Sequence, residues 1–150
     1  MNVPLKIEIL NHFVGLPTPE YAHAGDSGFD LRAAIRETVT IPPQERVLIP
    51  TGLRFEIPDG YEIQVRPRSG LALHCGVTTL NTPGTIDAGY RGEVQVILYN
   101  ADKECQHSIL RGDRIAQAVL APVGRALMSF EFVDTSTKRG EGGFGSTGHA

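Results

Sequence analysis

No segment of this chain sustains a helical period. Apolar and polar residues instead alternate over short runs. Proline and glycine stop each run, and the chain has 10 and 17 of them in 150 residues. Alternation of period two marks half-buried strands. Lys6–Leu10, Thr38–Ile41, Arg46–Ile49, 93–99, 106–110, 114–121 and 126–133 read this way. Leu53–Ile57 and Tyr61–Arg66 alternate on either side of Pro58-Asp59-Gly60, a strong turn signal, so 53–66 is expected to be a hairpin. Ser69–His74 is the one stretch that could make a short helix. Short strands at this spacing predict an all-β fold, a jelly-roll-like β-barrel or sandwich with one short helix.

The length suits one domain with a real core. Composition shifts at Thr135, where a polar, glycine-rich stretch begins. Residues 1–134 are therefore expected to form the β domain, and 135–150 a flexible C-terminal arm. A net charge of −3 argues against a broad nucleic-acid or membrane surface. It leaves room for a small anionic ligand, which needs only a local positive cluster. Two cysteines, Cys75 and Cys105, cannot make a disulfide framework or, alone, a zinc site. The N-terminal residues lack an apolar core of signal-peptide length, and no run reaches the length of a transmembrane helix. The expected location is a reducing cytoplasm.

Five stretches carry candidate chemistry. Gly84–Glu93 holds one carboxylate, Asp87, on a tight loop feeding a strand. It reads as a general base or as a turn residue. Ala24–Ala33 holds Asp26 and Asp30 around a glycine turn. These read as an Asx turn, or as an acid ordering the water shell of a magnesium ion. Arg66–Ala72 places Arg68 before Ser69-Gly70, as an oxyanion site or an ordinary Ser cap. Leu110–Gln117 reads as a solvated turn at Arg111. On strict alternation, Gln117 then shares an inward face with Ile115 and Val119 and needs a partner there. The tail, Arg139–Gly148, offers Arg139, Gly145, Ser146 and Thr147 to phosphates and Phe144 to a base; its other reading is a disordered terminus.

In this order and at these separations, the five stretches resemble the five motifs of the trimeric deoxyuridine triphosphate nucleotidohydrolases (dUTPases), and the resemblance covers nearly the whole chain. It implies a β jelly roll and hydrolysis of dUTP to dUMP and pyrophosphate with Mg2+. It further implies Asp87 as general base, Asp30 holding a water of the metal shell, and Arg68, Ser69 and Gly70 along the phosphates. Gln117 would reach the phosphates or the water. Asn81, Gly84, Thr85, Ile86 and the backbone near Gln95 would read uracil, and Tyr90 would pack on the deoxyribose. Arg139, Gly145, Ser146 and Thr147 would close over the outer phosphates while Phe144 caps the base. It implies a homotrimer with shared sites, no nucleic-acid or membrane partner, and a role in lowering dUTP and supplying dUMP for thymidylate synthesis. One departure is mild: Asp26-Ser27 stands where small residues are commoner. The rival readings are a dCTP deaminase-like enzyme, for which Glu93 and Glu104 are the nearest proton shuttles, and a nucleotide-sensing binding protein. His12, His74, Cys75 and His149 read as filler.

Overall fold

A computed structural model describes residues 2–143. Among these residues the strands are β1 (Lys6–Ile9), β2 (Gly28–Arg32), β3 (Val39–Ile41), β4 (Arg46–Pro50), β5 (Leu53–Glu56) and β6 (Tyr61–Arg66). The single α-helix, α1 (Ser69–Cys75), comes next. After it come β7 (Val77–Thr79), β8 (Gly84–Asp87), β9 (Gln95–Asn100), β10 (His107–Ile109) and β11 (Arg114–Pro122). All pairings are antiparallel, in sheets ordered β1-β5, β3-β10, β2-β11-β6-β8 and β4-β9-β7. The inward residues of these sheets meet in one core, with Leu31, Ile41, Ile49, Leu53, Phe55, Ile63 and Leu98 wholly buried. Each such side chain stabilises the fold by about 1.5–3 kcal/mol relative to exposure. The architecture is the expected jelly-roll-like all-β fold with one short helix.

Three local expectations fail. Residues 53–66 are not a hairpin: β5 pairs with β1, whereas β6 lies between β11 and β8. The turn itself forms, with Tyr61 N–H donating to the Pro58 carbonyl at 3.2 Å, but it is a corner between two sheets. Alternation specifies which face is buried, not which strand lies alongside. Second, Gly84–Asp87 is not loop but strand β8, paired with β6 from Gly84↔Val65 to Asp87↔Glu62. Third, 126–133 forms no strand. Its alternating apolar residues have no partner strand within the described chain, and Leu127, Phe130 and Phe132 are fully exposed.

Candidate functional site

The outer face of the β2-β11-β6-β8 sheet carries a row of polar side chains. Asp30 on β2 stands opposite Gln117 on β11, and Gln117 stands opposite Arg66 on β6. Gln117 therefore faces outward, contrary to the alternation argument. The reason is a β-bulge: Arg114 pairs with Arg32 and Ala116 with Leu31, so Ile115 is an extra residue. Ile115 and Ala116 are both buried, and the alternation restarts with Gln117 on the outside. The Gln117 amide finds its partner in the Pro67 carbonyl, to which Nε2 donates at 3.1 Å. Its Oε1 leans over Gly28. A side-chain carbon at Gly28 would lie 3.2 Å from that oxygen and 3.0 Å from the Ala118 carbonyl, so glycine is what permits this approach. A cleft of about 270 Å³ opens beside Asp30 and Gln117, bordered also by Glu20, Asp26 and Ser27.

Asp30 is held from two sides. Arg68 Nε donates to Oδ1 at 2.9 Å, and Arg114 Nη1 lies 3.4 Å from Oδ2. Arg114 enters this cluster without any local signal in the sequence, because only the β2–β11 pairing brings it there. Arg68 is also the N-cap residue of α1, with extended backbone, and Ser69 is the first residue of the helix. The Ser-cap reading thus fails, and no side chain caps this end. Ser69 and Gly70 are exposed.

A second group lies on β8 and the turn after it. Gly84 is buried opposite Val65, with the Asn81 amide beside it. Ile86 is half-buried opposite Ile63, while Thr85 and Asp87 point outward. Among the described residues the Asp87 carboxylate has no hydrogen-bond partner, although its backbone carbonyl accepts the Tyr90 N–H at 3.0 Å. Tyr90 is 45% exposed, so core packing does not explain it. Gln95 starts β9 in the neighbouring sheet and is exposed. Glu93, a candidate shuttle in the deaminase reading, is tied down by the Gly52 N–H at 2.8 Å and His12 Nε2 at 2.7 Å. Glu104 is exposed in the turn before β10.

One chain does not unite the two groups. Asp87 belongs to the row Asp87–Glu62–Ala121, four residues along β6 from the row of Arg66, Gln117 and Asp30. At about 3.3 Å per residue and about 4.8 Å per strand, Asp30 and Asp87 stand roughly 20 Å apart on the sheet.

The remaining candidates divide plainly. Arg139 Nε donates to the Gly142 carbonyl at 2.9 Å, within the exposed tail. Phe144, Gly145, Ser146, Thr147 and His149 lie outside the described residues. Asp26 closes a turn by accepting the His23 N–H at 2.8 Å, three residues before it, which is not the Asx turn expected, where the donor lies two residues after the acid. Arg111 is not simply solvated: it donates to the carbonyls of Ile35 and Val14 at 3.0 and 2.9 Å, joining three loops. Among the described residues, no three His, Cys, Asp or Glu side chains cluster as a protein-bound metal would require, and no helix is long and apolar enough to cross a membrane.

Comparison with known proteins bears on the whole chain. The sequence family dUTPase matches residues 15–148. The deoxyuridine 5'-triphosphate nucleotidohydrolase of Bartonella henselae is 53% identical over 154 residues, spanning 97% of this chain and 83% of that protein. Its counterpart from Rhizobium meliloti is 55% identical over 146 residues, spanning 96% and 91%. Among solved structures, the Staphylococcus bacteriophage 80alpha dUTPase with dUPNHPP superimposes with a TM-score of 0.85 at 30% identity, over 99% of this chain and all of that one. A mutant dUTPase from phage phi11 of S. aureus, described as revealing the coordination of a structural Mg(II) ion, has a TM-score of 0.78 at 26% identity, over 89% of this chain and all of that one.

Proposed function

The chain belongs to the dUTPase family and is a dUTP nucleotidohydrolase that releases pyrophosphate; on that premise we propose that Asp87 is the general base of its reaction. The supporting observation is a contrast between two acids. The Asp30 carboxylate is engaged by two guanidinium groups, whereas that of Asp87 stands exposed at a strand end with no partner among the described residues. A base must be free to take a proton from a water within hydrogen-bond reach. Asp87 accepts that proton as the water oxygen bonds to the α-phosphorus. The bond from that phosphorus to the leaving oxygen breaks, and pyrophosphate departs with its electron pair.

Arg68, Ser69 and Gly70 line the phosphate chain, with Gln117 beside them. Asp30 keeps the Arg68 side chain aimed and would accept a hydrogen bond from a water of a divalent ion's shell. The donor set fits an ion carried in by the substrate: Mg2+ keeps most of its waters and needs one or two carboxylates at most. Bound to the phosphates, Mg2+ would offset the charge growing on the leaving group. Asn81, Gly84, Thr85, Ile86 and the backbone near Gln95 read uracil. Cytosine would leave buried polar groups unpaired, which is costly. Tyr90 packs on the deoxyribose and leaves no room for a 2′-hydroxyl. Arg139 and the residues after it, Phe144, Gly145, Ser146 and Thr147, close over the bound nucleotide, so 135–150 acts as an arm on the 1–134 domain.

This arrangement is a homotrimer with shared sites. The rough 20 Å between Asp30 and Asp87 supports this sharing, because one water and one phosphate do not span it, and Asp87 then works beside another copy's Asp30 and Arg68. The exposed apolar residues of 126–133 supply surface for such an assembly. We place the enzyme in the cytoplasm, removing dUTP and supplying dUMP for thymidylate synthesis.

The test is pyrophosphate release from dUTP, dTTP, dCTP and UTP, with and without Mg2+. Turnover is expected with dUTP and Mg2+, and little with the others. Conversion of dCTP to dUTP or dUMP would overturn the reading.

A further inference from the structure

Tyr90 is held from behind by groups to which the proposed reading gives no contact with the nucleotide. Its hydroxyl donates to the Glu93 carbonyl at 3.0 Å, folding the ring back over its own turn. The ring lies against Gly92 so closely that a side-chain carbon there would fall 2.9 Å from Cε2, so any side chain at position 92 would push the ring aside. Arg91 Nη1 closes the same turn on the carbonyls of Ala88 and Tyr90, at 2.6 and 3.0 Å. The position of the ring therefore depends on where Glu93 sits.

Glu93 is fixed through its side chain. One oxygen, Oε1, accepts the Gly52 N–H at 2.8 Å and meets His12 Nε2 at 2.7 Å. The pair is mostly buried, with side-chain exposures of 28% for His12 and 21% for Glu93. Gly52 is a rigid donor because its own carbonyl accepts the Leu10 N–H at 2.9 Å, just ahead of the 3-10 turn Asn11–Phe13 that carries His12. A continuous path thus runs from the N-terminal turn through Glu93 to the exposed ring of Tyr90. A buried acceptor shared by two donors fixes its side chain more tightly than either bond alone.

We propose that the His12–Glu93 pair, seated on the Gly52 amide, is the positioning device that keeps the Tyr90 ring where it excludes ribose. The proposal rests on the reading of Tyr90 as the residue that packs on the sugar. The two residues are not catalytic, since neither reaches the reacting atoms. His12 anchors the Glu93 carboxylate, and Glu93 anchors the ring through its backbone carbonyl. Uracil is read by β8, the loop before it and the backbone near Gln95, which β9 holds against β4 opposite Pro50, so loosening the ring changes sugar choice and leaves base choice alone.

Two ratios of kcat/KM test this in the full-length enzyme: dUTP over UTP for the sugar, and dUTP over dCTP for the base. Glu93→Ala is expected to lower the sugar ratio about ten-fold and His12→Ala several-fold, because small misplacements of a positioning group cost this much. The base ratio should stay within about two-fold, and kcat for dUTP should change little in His12→Ala. Glu93→Gln keeps an oxygen for the Gly52 N–H and should recover most of the sugar ratio. If Glu93→Ala does not fold, His12→Ala and Glu93→Gln decide. An unchanged sugar ratio in His12→Ala overturns the proposal, as does an equal fall in both ratios. Calorimetry with dUPNHPP and its ribose counterpart separates the two layers of argument. A wild type that binds both equally overturns the reading of Tyr90 and the proposal with it. A wild type that prefers the deoxy compound, with His12→Ala preferring it equally, overturns the proposal alone.

Discussion

Arg68 reaches back from the start of α1 to place its Nε–H 2.9 Å from Oδ1 of Asp30, so the acid of the first motif orients the cation of the second. Both side chains are about a quarter exposed, and the pair joins segments far apart in sequence. Solvent-accessible ion pairs of this kind contribute about 0–1 kcal/mol to folding. On the proposed reading, the value of this pair lies in aiming a guanidinium at phosphate.

Asp30→Asn should therefore separate stability from activity. Loss of about 1 kcal/mol would lower Tm by about 2–4 °C in a chain of this size. Pyrophosphate release should fall by about 10²-fold, because the guanidinium proposed to bind phosphate is no longer held in place. Thermal melts and a turnover assay on the same preparation check both. A melting shift as severe as the activity loss would mean that Asp30 is a structural acid.

Asp87→Asn should bind dUPNHPP as the wild type does and lose about 10²–10⁴-fold in turnover. Mixed with Arg68→Ala under conditions that exchange subunits, it should regain activity that neither variant has alone. The two lesions lie in groups that one chain holds apart, so a mixed assembly contains some sites with neither. Mixed trimers verified by native mass spectrometry but still inactive would show that both groups serve one chain's own site.

The segment after β11 should divide into two functions. Phe130→Asp with Phe132→Asp removes exposed apolar surface and should reduce the assembly to monomers in sedimentation, with activity lost as a consequence. Truncation after Lys138 should leave a folded trimer with much lower turnover. A truncated protein that fails to fold would make the tail a structural element.

Asp102 offers a test of acid stability away from the site. Its carboxylate accepts the N–H groups of Cys105 and Glu104, which hold its pKa below the ordinary value. A carboxylate with a lowered folded-state pKa adds stability above the unfolded pKa, and that stability is lost as pH falls through the folded value. Asp102→Asn should thus melt below the wild type at pH 7. The gap should narrow once the medium is acidified past about 3.9, the usual aspartate pKa. A gap independent of pH would mean that the turn's geometry, not the charge, is what matters.

Alternation alone made the fold class and most strands legible, since Val94, Val96 and Leu98 are buried just where period two puts them. Partnership was not legible. Nothing in Leu53–Arg66 says that its halves enter different sheets, because pairing is settled by packing across the whole core. Arg114 beside Asp30 and His12 beside Glu93 were hidden for the same reason: each meeting depends on contacts between remote segments. The candidate site residues could be nominated from sequence because their motifs are local. Their distribution into two separated groups was not, since it follows from the order of strands in one sheet.

The bulge at Ile115 carries a further consequence. Side chains along a strand obey a parity rule, and one inserted residue inverts it for everything downstream. Were residues 114–117 drawn into one regular alternation with Ile115 kept, Gln117 would turn into the core and Ala118 and Leu120 outward; deleting Ile115 would instead leave Arg114 outward, Ala116 inward and Gln117 outward, in the phase they already have. The face that carries Asp30 and Gln117 therefore depends on how the strand accommodates a residue that contributes no atom to it. Flattening the bulge, not losing the residue, is what would exchange the inner and outer surfaces of half a strand, with every side chain still present.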